Sequence, residues 1–181
     1  IYHTPNPVPE LISPRNFSCH WHEGVEILTM VEGTAQIMCD SVLHTVSPGE
    51  TVVIHANQLH TVDSPSPGCR YHCLILERDF CAAHGIDILA ARWTPQFTDV
   101  PLAALMDELL RETESGAPYT ALRQESIVLR YAAELCTRHR LPDGAVAAAA
   151  DRTIELVKQT LLFLNEHYRE PLSLAQICKA I

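Results

Sequence analysis

Apolar and polar positions along the chain follow two different periods, and the change falls near Arg78. Before it, short runs of aliphatic and β-branched residues cover 25–32, 34–39, 42–46, 50–55, 60–63 and 69–77. Turn-forming residues close them off: Gly33, Asp40-Ser41, Ser47-Pro48-Gly49 and Ser64-Pro65-Ser66-Pro67-Gly68. Runs of this kind, about eight to twelve residues apart, predict an antiparallel sandwich or barrel. Ahead of them stand Pro5, Pro7, Pro9 and Pro14. Fixed φ angles and missing N–H donors predict an extended arm lying over a surface there.

After Arg78 the spacing becomes helical. Leu102, Leu105, Met106, Leu109 and Leu110 mark one face of a helix that starts near Asp99, its expected cap, and ends before Gly116-Ala117-Pro118. A second helix is expected over 120–139, with Leu122, Val128, Leu129, Ala132, Leu135 and Cys136 along its apolar stripe. The alanine-rich run 145–150 reads as a hinge or helix start, leading into a third helix with Ile154, Val157, Leu161, Leu164 and Tyr168 on one side. Pro171 breaks that helix. Ser173-Leu174-Ala175-Gln176 then has the Ser-x-x-Gln form of a capping box opening a fourth.

Composition narrows the chemistry. With 181 residues, 47% of them apolar and 19% charged, the chain can bury a core, and no run of eighteen apolar residues offers a membrane span. A net charge of −9 argues against this chain itself gripping a phosphate backbone, which takes a surplus of Lys and Arg. Up to Cys69 the only Lys or Arg is Arg15, yet His3, His20, His22, His44, His55 and His60 all fall in that stretch. Histidine-rich and arginine-poor, the segment points to a metal or small ligand rather than a polyanion. Seven cysteines without a Cys-x-x-Cys pair read as buried, reduced thiols of a cytosolic protein. The opening, Ile1-Tyr2-His3, lacks a basic and then apolar leader, so the chain reads as a piece of a longer protein and not an export precursor.

The densest chemistry lies in His20-Trp21-His22-Glu23-Gly24-Val25-Glu26 and, later, His60. Strand alternation would send His20, His22 and Glu26 to one face, with His60 entering from another strand. Three imidazoles and a carboxylate suit a divalent metal (zinc, nickel, iron or manganese) with positions left open.

That spacing resembles the two motifs of the cupin superfamily. His20, His22, Glu26 and Gly33 fill the first with no gap adjusted, and Gly49 and His60 fill the second. Pro14 stands where the first motif begins with Gly, and His55, Asn57 and Ser64 replace the Pro, Gly and Asn of the second. Residues 161–177 resemble the opening of the DNA-binding domain of AraC-type transcriptional regulators, where a helix ends in His-Tyr, two residues, then Pro-Leu-Ser-Leu. The order of barrel then helices, and residues 71–80, are similar to that family too.

The resemblance implies a mainly β fold with α: a cupin (double-stranded β-helix, jelly-roll) barrel followed by an α-helical linker. Residues 1–97 would form the effector-binding barrel with its arm as a candidate lid, 98–150 the linker and dimerisation helices, and 151–181 the start of a helix-turn-helix domain. It implies a cytoplasmic bacterial regulator that is no enzyme, a homodimer binding a sugar or organic acid as effector, and DNA contact only through the helix-turn-helix part beyond this chain. His20, His22, Glu26 and His60 would be metal ligands and, with His72, Trp21 and Tyr71, would line the effector pocket. A metal-dependent cupin enzyme, a dioxygenase or isomerase using the same four ligands, is the alternative.

Overall fold

A computed structural model describes residues 10–12, 17–63, 68–142, 152–169 and 171–180. Most of the proline arm and the alanine-rich run lie outside the described residues. The chain divides into two units, 1–145 and 146–181.

In the first unit the strands are β1 (Glu10–Ile12), β2 (Phe17–His20), β3 (Val25–Glu32), β4 (Ala35–Cys39), β5 (Val42–Val46), β6 (Glu50–Ile54), β7 (His60–Asp63), β8 (Arg70–Leu76) and β9 (Gln96–Thr98). The helices are α1 (Arg78–Ala83), α2 (Val100–Glu114) and α3 (Thr120–His139). The strands pair antiparallel in two sheets, one ordered β1-β8-β3-β6-β9 and the other β2-β7-β4-β5. All six expected β runs are strands. The additions, β1, β2, β9 and α1, are too short to carry a readable period. Part of the expected arm is thus sheet: Glu10, Leu11 and Ile12 pair with Cys73, His72 and Tyr71.

Alternation along the strands divides the interior in two. Leu28 and Met30 on β3, Ile37 on β4, Val52 and Ile54 on β6, Val62 on β7 and Tyr71 on β8 belong to one buried cluster, drawn from both sheets, which fills the space between them. Val25, Ile27, Val53, Leu74 and Leu76 point the other way, into a second cluster shared with the helices through Leu102, Met106, Leu109, Val128, Tyr131 and Leu135. The five-stranded sheet is therefore buried on both faces, and each fully buried Leu, Ile or Val on it contributes about 1.5–3 kcal/mol.

Asp99 caps α2 as expected, its carboxylate accepting from Leu102 N at 3.1 Å, with Pro101 in the first turn where no N–H is needed. The partner of Arg123 is Glu112, and that of Arg130 is Glu108, so α2 and α3 run antiparallel. Their apolar faces pack on their own barrel. Leu122, expected on the α3 stripe, is 68% exposed, because Gln124, Ile127 and Tyr131 define the buried side instead. Among the cysteines, Cys39, Cys69, Cys73 and Cys81 are buried as expected, whereas Cys19 and Cys178 are exposed.

The second unit holds α4 (Arg152–His167) and α5 (Leu174–Ala180). The capping box is formed: Gln176 N donates to Ser173 Oγ at 3.3 Å, and Ser173 N donates back to Gln176 Oε1 at 2.9 Å. Among the described residues no helix is long and apolar enough to cross a membrane.

Candidate metal and ligand site

His20 ends β2, Glu26 is the second residue of β3, and His60 opens β7. His22 lies on the connection between β2 and β3, which belong to different sheets. The expected reason for their convergence, one strand running from 20 to 26, is therefore replaced by a crossing between sheets. The outcome is the same: one ligand atom from each of His20, His22, Glu26 and His60 lies within 4.8 Å of the others. The ring centroids of His20 and His60 are 4.1 Å apart, and those of His22 and His60 5.2 Å.

Each histidine is oriented from behind by a main-chain carbonyl two residues away. His20 Nδ1 donates to Ser18 O at 2.8 Å, His22 Nδ1 to Gly24 O at 3.0 Å, and His60 Nδ1 to Gln58 O at 2.8 Å. A carbonyl only accepts, so the proton sits on Nδ1 and each neutral ring presents a bare Nε2 lone pair. His22 Nε2 and His60 Nε2 meet Glu26 Oε2 at 2.9 and 3.2 Å. Lone pairs and a carboxylate converging on one point repel unless a proton or a cation stands among them. The donor set therefore fits a divalent first-row cation held by His20, His22, Glu26 and His60, its histidine tautomers already selected.

The electrostatics follow from this packing. Burial, the largest single effect, works against charge on Glu26 and on His22, but the attraction between the carboxylate and a protonated His22, together with His60 acting on Glu26 and the Gly24 carbonyl acting on His22, outweighs it. Glu26, bonded to His22 and His60, is held far below the usual carboxylate range, and His22 is raised. His20 is lowered, first by burial and further by the neighbouring His60.

Two of the second motif's departures have local explanations, and the third, Ser64, lies outside the described residues. Asn57 takes a left-handed conformation (φ 60°), which Gly adopts freely and Asn tolerates, and its N–H donates to His22 O at 2.9 Å, tying the turn to the ligand-bearing connection. His55, in the place of Pro, accepts from Trp93 N at 2.9 Å and stacks on the indole.

Of the other expected pocket residues, Trp21 sits half-buried on the same connection as His22. Tyr71 points into the barrel, and its buried hydroxyl has no hydrogen-bond partner among the described residues. His72 does not join them. Neighbours on a strand face opposite ways, so His72 lies on the outer face of the sheet and its Nε2 meets Asp107 of α2 at 3.1 Å. Two thiols escaped the sequence reading. Cys73 Sγ donates to Glu26 Oε1 at 3.4 Å, and burial, with Asp40 and Glu26 adding to it, pushes the Cys39 thiol up to about 12. Finding them requires the β3–β8 and β4–β7 registers, which no local signal carries.

The family described as AraC-like ligand binding domain matches residues 7–132. No curated protein matches the chain. Similar solved structures include KdgF from Halomonas sp., at 21% identity over 44% of this chain and 76% of that one, with a TM-score of 0.37. A cupin-2 domain containing protein from Shewanella frigidimarina is 22% identical over 42% of this chain and 76% of its own, with a TM-score of 0.37. The Bacillus subtilis oxalate decarboxylase, described with Mn(II) centres, is 13% identical over 43% of this chain and 28% of its own, with a TM-score of 0.34.

Proposed function

Because this chain belongs to the family of AraC-like ligand-binding domains, we propose that it is the ligand-sensing and dimerising part of a cytoplasmic bacterial transcription regulator. The observation that carries the reading is a preformed four-donor site at one end of the barrel of a ligand-binding family, with three imidazoles fixed in the tautomer that offers Nε2. His20, His22, Glu26 and His60 hold a divalent cation there, and Trp21 borders it. Residues 98–150 link the sensor to the output and provide the dimer contact. Residues 151–181 begin a helix-turn-helix domain, a reading supported by the formed capping box at Ser173 and by the break between units near residue 145. Ligand binding biases the arrangement of these parts by as much as its affinities for the two arrangements differ.

A metal-dependent cupin enzyme would use the same four ligands, and no observation beyond them favours it. Transcript profiling of the host with the wild-type gene against a His60→Ala allele tests the regulator. A compact set of altered transcripts is expected. Unchanged transcripts, together with turnover of a small substrate by the purified protein, would replace the regulator with the enzyme.

A further inference from the structure

Resting on the sensor reading, we propose that the ligand sensed is the divalent cation itself, so that metal occupancy of the four-donor site is the signal and no sugar or organic acid enters the barrel.

The first reason is space. Leu28, Ile37, Val52, Ile54, Val62 and Tyr71, drawn from both sheets, are each at most 3% exposed. Side chains so nearly sealed offer almost no surface for an organic ligand to contact in this part of the barrel, where one of drug-like size would occupy a cavity of roughly 300 Å³ or more. The surface left open around the site belongs to His20, Trp21 and His22, at the end where the donors converge.

The second reason is charge. Among the described residues no Lys or Arg is buried, and the buried acid at the site is Glu26. An organic anion entering there would meet a carboxylate and, among the described residues, no buried Lys or Arg, and it would leave that carboxylate desolvated. A cation has the opposite relation to the same atoms. It satisfies three Nε2 lone pairs and one carboxylate at once, groups that otherwise need protons to coexist.

The third reason is connectivity. His20 and His60 belong to the β2-β7-β4-β5 sheet, and Glu26 belongs to the other, so one bound ion ties the two sheets together at this end. Glu26 is flanked on β3 by Val25 and Ile27, whose side chains pack on the opposite face in the cluster shared with α2 and α3. Occupancy is thereby placed one residue from the packing of the helices that carry the output. A filled barrel transmits such a displacement because close-packed side chains shift together.

The test uses the purified chain, stripped with a chelator and then titrated with zinc, nickel, manganese or iron(II) salts alone, and separately with a panel of sugars and carboxylic acids. The expected result is that one cation, at a hundredfold excess over its Kd, raises Tm by about 5–10 °C. The same cation should slow hydrogen exchange in α2 and α3. Both effects should vanish in Glu26→Gln and His60→Ala and persist in Tyr71→Phe. If His60→Ala fails to fold, the visible absorption of cobalt(II) bound to the wild type reports imidazole and carboxylate ligation directly. A sugar or acid that shifts the stripped protein, or that the metal-loaded protein requires before α2 and α3 respond, overturns the cation as signal and leaves the sensor reading standing. Metal binding without any response in α2 and α3 also overturns it. No response to any metal, sugar or acid defeats both readings.

Discussion

His60 Nε2 lies 3.2 Å from Glu26 Oε2 and so joins β7 of one sheet to β3 of the other. The same oxygen meets His22 Nε2 at 2.9 Å, from the connection between the sheets. One carboxylate oxygen is thus the hub of two contacts, one from β7 and one from the connection between the sheets.

Replacing that hub tests it most directly. Glu26→Gln keeps the shape and removes the charge, so metal affinity is expected to fall by more than the roughly 10–100-fold that losing a hydrogen bond behind a ligand costs. A metal titration followed by calorimetry checks this, and affinity within a factor of three of wild type would show that Glu26 is not a ligand.

Gly24 stands between two of the donors. A Cβ there would meet Ile75 Cγ2 at 2.7 Å and Leu76 O at 3.2 Å, and the second is backbone that cannot swing aside. Gly24→Ala is expected to cost about 1–3 kcal/mol through overpacking and to loosen the connection that carries His22. Chemical denaturation gives the first quantity, and a parallel loss of metal affinity gives the second.

Asp99 links α2 to the end of α3. Its carboxylate caps Leu102 N and meets His139 Nε2 at 2.9 Å. Burial opposes its charge, but the bonds from His139 and Leu102 outweigh that and lower its pKa below the usual 3.8. A depressed carboxylate contributes stability that is full above its unfolded pKa and lost as pH falls through the folded one. Asp99→Ala is therefore expected to cost about 1–2 kcal/mol at neutral pH, with the gap from wild type closing below pH 3.8. Asp99→Asn, which keeps a capping oxygen, should lie between them. Denaturant midpoints at several pH values decide it.

His72 offers a control. It faces α2 from the outer side of the sheet, so His72→Gln is expected to leave metal affinity unchanged while altering stability through the lost contact with Asp107. A tenfold loss of metal affinity would contradict that placement.

Thiol labelling of the native protein should follow exposure. Cys19 and Cys178 are open to solvent, while Cys39 is buried with its thiol raised to about 12. Iodoacetamide followed by mass mapping is expected to mark the first two well before Cys39, Cys69, Cys73 or Cys81. Early modification of Cys39 would mean that the barrel opens readily.

What the sequence determined by itself was local: six strands bounded by their turns, helices with Asp99 and Ser173 as caps, and a donor set legible because motif spacing and residue type coincide. The resemblance to cupin and AraC-type patterns rests on the same local content. Tertiary structure decided everything that depends on register and on which sheet a strand joins. It put β2 and β3 in different sheets, so His20 and Glu26 meet across a crossing and not along one strand. It turned His72 outward and Tyr71 inward, since a period of two carries no sign until one residue is anchored. Cys73 came to Glu26 through pairing between strands more than forty residues apart. It laid α2 and α3 on their own barrel with Leu122 facing solvent, because an amphipathic stripe states that a face will be buried but not against what.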